Sequence, residues 1–316
     1  MHRLISTILL LFFSLLLFGQ EDTDTYDKVA LELRQRNFKK ADELIKDLIA
    51  EDPNDIRAFG FRTQYFILTS DITGAEEHLE DGLRRFSKNP YFYESRSYYY
   101  YSILQFDHAI RDLSRAMKLA ADADKKNYFL ISRAIAKSGK MDHEGAYADY
   151  MIAYKFDSTN IHVLNNLGAI ADNLGKVDDA LEYLQRVIDL QPDFAPAYIN
   201  KGYQLQKMEK HEEALTYFDK GVELSPDSPL AYSNRSFSRL NTGDLKGAMK
   251  DVEKSLKLYP GNSYAYRNRA HIYLEMGKND KACEDLYEAE KQGFSKMYGQ
   301  EVQRLIIINC YNYESK

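Results

Sequence analysis

The chain has 316 residues, of which 44% are hydrophobic and 28% are charged, and its formal net charge is -6. This composition is ordinary for a folded protein and excludes an intrinsically disordered chain, which has few apolar residues. Because the lysines and arginines are scattered rather than clustered, the sequence also argues against a nucleic-acid partner.

The first 20 residues have the pattern of a secretory signal peptide, with a basic head at residues 1–3 and an apolar stretch at 4–18. As a helix, that stretch would be about 22 Å long, which is shorter than the ~30 Å hydrocarbon core of a bilayer. We therefore expect residues 1–20 to be a signal peptide and the protein to be exported, either periplasmic or secreted. An uncleaved membrane anchor is the alternative, since Leu17 stands where a cleavage site usually has a small residue.

Between residues 21 and 295 the sequence repeats with a period of 34 residues, although the length alone would suit two globular domains. An alanine marks each period, and a three-residue insertion separates the third alanine from the fourth: Ala41, Ala75, Ala109, Ala146, Ala180, Ala214, Ala248 and Ala282. If this alanine is the twentieth residue of its unit, eight units begin near residues 22, 56, 90, 127, 161, 195, 229 and 263. Such a period indicates stacked helical hairpins, none of which can bury its apolar face alone.

Each unit has the residues that two closely packed antiparallel helices need. A small residue such as Gly202 stands twelve positions before the marker alanine in every unit but the first, which has Val29. A large apolar residue such as Phe218 stands four positions after the alanine, on the same helix face. Glycines between the two helices predict helix C-caps at Gly175, Gly243 and Gly277.

This pattern resembles the tetratricopeptide repeat family, for example over residues 198–226 and 232–260. The resemblance implies an all-α fold: a right-handed α-solenoid of about eight helix-turn-helix units plus a C-terminal capping helix. The first helices of the units would then line a concave groove. We interpret the insertion at residues 124–126 as a longer surface turn, with a bend in the stack as the alternative, and residues 296–316 as the capping helix and a loose tail.

Asparagine recurs at the sixth residue of the last four units, as Asn166, Asn200, Asn234 and Asn268. In the family this position faces the groove, and an amide offers both donors and an acceptor to a peptide backbone. We therefore predict that the four amides bind an extended peptide. Further candidates at neighbouring positions of the groove are Tyr203, Phe237, Arg267 and His271. The alternative is that asparagine at this position bonds the adjacent repeat.

Other recurring residues have structural interpretations. Arginine recurs at the seventh residue of several units, and we expect Arg96, Arg133, Arg235 and Arg269 to lie between helices and pair with nearby acids. The two cysteines, Cys283 and Cys310, would form a disulfide in an exported chain, or would remain two half-buried thiols.

The sequence contains no pattern that indicates catalysis. Its seven histidines are scattered, and none forms a His-x-x-x-His pair or joins a cysteine at zinc spacing. We therefore predict no enzyme activity, no cofactor and no metal. The expected function is a non-catalytic protein–protein interaction scaffold of the cell envelope, which binds a protein or an extended peptide in its groove. The alternative is a structural or assembly subunit of an envelope complex that uses its convex face or its ends.

Overall fold

The computed structural model describes residues 23–311 and 313, and all regular structure in this part of the chain is helical. The predicted signal peptide at residues 1–20 lies outside the described residues. None of the described helices has the length and apolar character that crossing a bilayer requires. The chain divides into two compact units, residues 1–158 and 159–316.

The first of these two compact units has eight described helices, which form four hairpins. They are α1 (Thr23–Arg34), α2 (Phe38–Glu51), α3 (Ile56–Thr69), α4 (Ile72–Arg85), α5 (Pro90–Ser102), α6 (Phe106–Leu119), α7 (Ala123–Gly139) and α8 (His143–Phe156). Each helix packs against the next along the chain. The first helices of adjacent hairpins also touch, as α3 and α5 do. One apolar cluster joins α1, α2 and α3, and another extends from α3 to α7.

The second unit continues the alternation with four hairpins and a C-terminal segment. Its helices are α9 (Ile161–Ile170), a 3-10 helix (Ala171–Leu174), α10 (Val177–Leu190), α11 (Ala195–Lys207), α12 (His211–Leu224), α13 (Pro229–Asn241), α14 (Leu245–Leu258), α15 (Ser263–Glu275), α16 (Asn279–Lys291), α17 (Phe294–Tyr298) and α18 (Glu301–Asn309). The first helices of the hairpins, α9, α11, α13 and α15, contact one another in sequence.

The helices confirm the predicted all-α hairpin architecture and explain the small residues in it. Six first helices begin at the first residue of their predicted unit. A Cβ atom added to Gly202 would lie 2.7 Å from the Phe218 ring, so only glycine allows this approach of α11 and α12. Gly243 has a φ of 83° and ends the preceding helix, as a C-cap glycine does.

The interpretation of the insertion as a longer turn is wrong. Residues 124–126 lie in the first turn of α7, which is 17 residues long. Asp122 caps this helix, because its side chain accepts a hydrogen bond from the backbone N–H of Lys125 at 2.8 Å. The extra residues therefore lengthen a first helix at its N-terminus.

The C-terminal helix α18 is fastened to α16. Val302 is buried in the apolar cluster that α15 and α16 contribute to. Cys283 on α16 and Cys310 just after α18 form a disulfide, with their Cα atoms 5.7 Å apart. Ile307 and Ile308 lie on the open side of the helix and are exposed.

Candidate functional site

The recurring asparagine amides join neighbouring first helices. Asn268 on α15 donates hydrogen bonds to the carbonyl oxygen of Ser233 at 2.8 Å and to the hydroxyl oxygen of Ser236 at 3.3 Å, both on α13. Asn200 on α11 donates to the side-chain oxygen of Asn165 on α9 at 3.0 Å. At these two positions the amide bonds the adjacent repeat, which is the alternative that the sequence left open.

The predicted exposure of all four amides is wrong at two of them. Asn268 is 0% exposed and Asn234 is 3% exposed, because adjacent first helices pack closely enough to cover a short side chain between them. Asn166 and Asn200 are half-buried and keep a surface toward solvent. Peptide binding by these two amides stays a prediction.

Three tyrosines of the second unit form a surface that we call the tyrosine surface: Tyr203, Tyr264 and Tyr298. Tyr203 on α11 is 39% exposed and Tyr298 at the end of α17 is 53% exposed. Tyr264 on α15 is half-buried, and its ring centroid lies 5.6 Å from that of Tyr298. Burial, together with the neighbouring hydroxyls of Tyr203 and Tyr298, raises the pKa of Tyr264 to about 12, although Arg267 opposes the shift. The hydroxyl of Tyr264 is therefore protonated at neutral pH, and the tyrosine surface is partly exposed to solvent.

Arg267 is buried beside this surface. Its guanidinium lies 4.5 Å from the ring centroid of Phe237 and 5.4 Å from that of Tyr264. Its Nη1 donates to Asn268 Oδ1 at 2.9 Å, and its Nε and Nη2 donate to Glu301 Oε1 at 3.0 and 2.5 Å. Arg267, a predicted residue of the groove, is therefore buried and bonded within the chain, and its role in binding a partner stays a prediction. The half-buried ring of Phe237 is covered on one face by this guanidinium.

Glu301 was not a candidate in the sequence, and it completes the group around Arg267. His271 Nε2 lies 3.3 Å from the same oxygen, Glu301 Oε1. Burial raises the pKa of Glu301, but the hydrogen bonds and charges of His271 and Arg267 outweigh it and lower the pKa to about 2. Glu301 is therefore ionised at neutral pH. The signal that could have found it is its position 34 residues after Arg267, one period beyond the last repeat.

The recurring arginines pair with buried aspartates, as we expected. Each arginine lies on a first helix and binds both oxygens of an aspartate 16 residues later on the second helix, at 2.7 to 2.9 Å. The pairs are Arg96–Asp112, Arg133–Asp149, Arg235–Asp251 and Arg269–Asp285. These arginines hold hairpins together and are not available to a ligand.

In residues 1–158, the tyrosine-rich helix α5 carries a buried acid. Glu94 is 2% exposed and accepts hydrogen bonds from the hydroxyls of Tyr98, at 3.0 Å, and of Tyr128 on α7. Burial raises its pKa to about 7, against the smaller opposing effect of the two tyrosine hydrogen bonds. This acid lies between two first helices and not on an open surface.

Within residues 23–311 and 313, no three or more His, Cys, Asp or Glu side chains are grouped so that they could hold a metal ion. Four of the aspartates are instead held in the arginine pairs described above. The described residues of the second compact unit offer the tyrosine surface as an exposed surface for binding.

Comparison with known proteins agrees with this geometry. A family model described as tetratricopeptide repeat matches residues 162–194 and 195–228, and a second model of that description matches residues 252–284. No curated protein matches the chain.

Many solved structures are similar to this chain, and two of them show the shared fold over most of its length. One is a chain of the APC/C hetero-tetramer Cut9–Hcn1, with a TM-score of 0.68 and 15% identity over 88% of this chain and 54% of that chain. The chain thus spans about half the length of this relative. The other is a tetratricopeptide repeat protein from Parabacteroides merdae, with a TM-score of 0.63 and 19% identity over 80% of this chain and 98% of that chain.

Proposed function

Because the chain is a tetratricopeptide repeat protein, we propose that it is a non-catalytic scaffold that binds a protein or an extended peptide segment through the first helices of residues 159–316. The family fold generally serves protein–protein interaction rather than catalysis. We further propose that the protein works in the cell envelope. The signal-like pattern at residues 1–20 supports export, and so does the disulfide, since such bonds persist in oxidising compartments.

The tyrosine surface is the observation that carries this proposal. Tyr203 and Tyr298 expose large rings beside a half-buried third tyrosine. Tyrosine is enriched where proteins bind each other, because its rigid ring adds apolar contact at a small entropic cost while its hydroxyl stays hydrated. The half-buried amides of Asn166 and Asn200 belong to the same series of first helices and could add backbone hydrogen bonds.

The expected energies show why the aromatic rings are needed. A hydrogen bond contributes about 0.5–1.5 kcal/mol net, so two amides fall well short of the ~8 kcal/mol of a micromolar complex. Covering the exposed parts of Tyr203 and Tyr298 would supply apolar burial that the amides cannot. We therefore expect the rings to contribute more to affinity than the asparagines.

The test is capture of a partner by the full chain and by the double variant Tyr203→Ala/Tyr298→Ala. We expect capture to weaken about tenfold, which corresponds to about 1.4 kcal/mol, while circular dichroism and melting change little. The matched control is Tyr311→Ala, because Tyr311 is 92% exposed and lies outside the tyrosine surface. Capture by the double variant at the level of the control would show that this surface is not the binding site.

A second candidate function is that of an assembly subunit that uses its end. The exposure of Ile307 and Ile308 on α18 favours it, since adjacent large apolar side chains in solvent often mark a contact surface. Light scattering after size exclusion would support this function if the protein forms a stable oligomer that Ile307→Ser/Ile308→Ser dissociates.

A further inference from the structure

One carboxylate oxygen in residues 159–316 lies within hydrogen-bond distance of three side-chain nitrogens of a single helix. Arg267 Nε and Nη2 lie 3.0 and 2.5 Å from Glu301 Oε1, and His271 Nε2 lies 3.3 Å from the same atom. Hydrogen bonds between ionised groups are shorter and about twice as strong as neutral ones. The donors on α15 are thus arranged around the position of one anionic oxygen.

Arg267 has contacts that hold it in place without α18. The guanidinium of Arg267 lies between the rings of Phe237 and Tyr264 and donates to Asn268 Oδ1 at 2.9 Å. Asn268 is in turn fixed by its hydrogen bonds to Ser233 and Ser236. All of these residues belong to α13 and α15, so the repeats themselves preorganise the site.

The carboxylate that occupies the site comes from the C-terminal segment. Glu301 is the first residue of α18, and the disulfide Cys283–Cys310 fastens that segment to α16. A tethered group has an effective concentration on the order of millimolar or above. A free carboxylate at micromolar concentration therefore cannot displace Glu301 to a measurable extent.

We propose that Arg267 and His271 form a binding site for an acidic side chain, which Glu301 of the same chain occupies and thereby closes to external ligands. The inference rests on the proposed function, since its external ligand would be an acidic segment of a protein partner. The inference adds to the proposed function that the bound segment is acidic and that Glu301 competes with this segment for the site. The low pKa of Glu301 agrees with a carboxylate that stays ionised while it is bound.

The test uses the full chain and a hexaglutamate peptide that carries a fluorophore and an amidated C-terminus, so that only side-chain carboxylates can bind. Glu301→Ala empties the site, and we expect it to bind the peptide at least about tenfold more tightly than the wild type, a change of about 1.4 kcal/mol. Fluorescence anisotropy measures this affinity. The added binding should weaken with rising salt and disappear in Glu301→Ala/Arg267→Gln.

Glu253→Ala is the matched control, because it removes the same charge from an exposed position on α14. Equal peptide affinities for Glu301→Ala and Glu253→Ala would overturn the proposal. If circular dichroism shows that Glu301→Ala is unfolded, Glu301→Ser replaces it in the same comparison, since it also removes the carboxylate and serine is tolerated at the start of a helix.

The outcomes separate this proposal from the proposed function. If the tyrosine double variant captures less partner and Glu301→Ala binds no more peptide, the proposed interaction surface is supported and the proposed carboxylate site is rejected. If Glu301→Ala binds more peptide and the tyrosine double variant captures as much partner as before, the carboxylate site is supported and the tyrosine surface is rejected as the binding site.

Discussion

Asn200 and Asn268 stand at the same position of units six and eight, yet only Asn200 keeps a surface toward solvent. Asn268 donates to the carbonyl oxygen of Ser233 and to the hydroxyl of Ser236 on α13 and accepts from Arg267, whereas Asn200 donates to the side chain of Asn165. The neighbour one repeat away therefore decides whether an amide ties two helices or can also meet a partner.

Glu94 makes the stability of the protein depend on pH. Burial raises its folded-state pKa to about 7, against an ordinary value of 4.5. As the pH rises between these values, the unfolded chain loses the proton while the folded chain keeps it, so the free energy of unfolding falls. At 1.36 kcal/mol for each pKa unit, the loss is about 3 kcal/mol above pH 7.

Glu94→Gln keeps an acceptor for Tyr98 and removes the ionisation. We expect the variant to gain about 3 kcal/mol in the free energy of unfolding relative to the wild type between pH 4.5 and 7, as measured by urea denaturation. Burial also lowers the pKa of His78 to about 4, so His78 makes the free energy of unfolding rise with pH in this range. This contribution is the same in Glu94→Gln and in the wild type, so it cancels when the two proteins are compared. The exposed Glu77→Gln should leave the profile unchanged, and parallel profiles for Glu94→Gln and wild type would contradict the prediction.

Paired arginine and aspartate side chains join first and second helices in four of the eight units. In the last hairpin, Arg269 of α15 binds Asp285 of α16 through two hydrogen bonds of 2.7 Å. Burial raises the pKa of Asp285, although its bond to Arg269 opposes the shift. An acid that loses such a partner remains in a poorly solvated place, whereas an apolar pair of similar volume has no such penalty.

Arg269→Met should therefore lower the free energy of unfolding by about 3 kcal/mol, and Arg269→Met/Asp285→Leu should recover most of that loss. A double-mutant cycle in urea measures the coupling between the two side chains. Lys291→Met is the matched control, because its pair with Glu288 is exposed and contributes about 0.5 kcal/mol or less. A cost for Arg269→Met no larger than that of the control would show that the pair does not fasten the hairpin.

Across the whole chain, the sequence predicts what depends on short separations. The 34-residue period, the Gly202–Phe218 contact and the glycine that ends α13 all involve residues within one hairpin, so their spacing is visible in the sequence. The start of α7 was missed because two signals compete there: the repeat favours a start at residue 127, and the cap at Asp122 favours an earlier one.

The candidate site was harder to predict because its residues come from different repeats. The burial of Asn234 and Asn268 depends on how closely two first helices approach, and neither helix encodes that distance alone. Glu301 lies beyond the eight units, so its 34-residue separation from Arg267 gains a meaning only when α18 is placed against α15 and α16. Tyr203 and His271 lie on first helices, as the register of the repeats predicts, and their role in binding stays a prediction.

The disulfide Cys283–Cys310 should stabilise one end of the repeat array and leave the other unaffected. It joins residues 27 positions apart, and closing a loop of this size contributes about 3.5 kcal/mol in the chain-entropy model. In a repeat protein, stability is approximately a sum of terms for each repeat and for its contacts with neighbours. We therefore expect reduction by a dithiol to accelerate amide exchange most in α16 and α18, less in α15, and not in α1–α8.

Hydrogen exchange with mass spectrometry on the full chain, oxidised and reduced, measures this gradient. Cys283→Ala/Cys310→Ala should show the same pattern without reductant, and the dithiol should not change it further, which separates loss of the bond from other effects of the reagent. Exchange that accelerates equally from α1 to α18 would mean that the chain unfolds as one cooperative body, because a local cross-link can act everywhere only if every repeat opens together. A gradient that ends within the last hairpins would instead show that the C-terminal end of the array opens locally, and the displacement of α18 in that opening would separate Glu301 from Arg267.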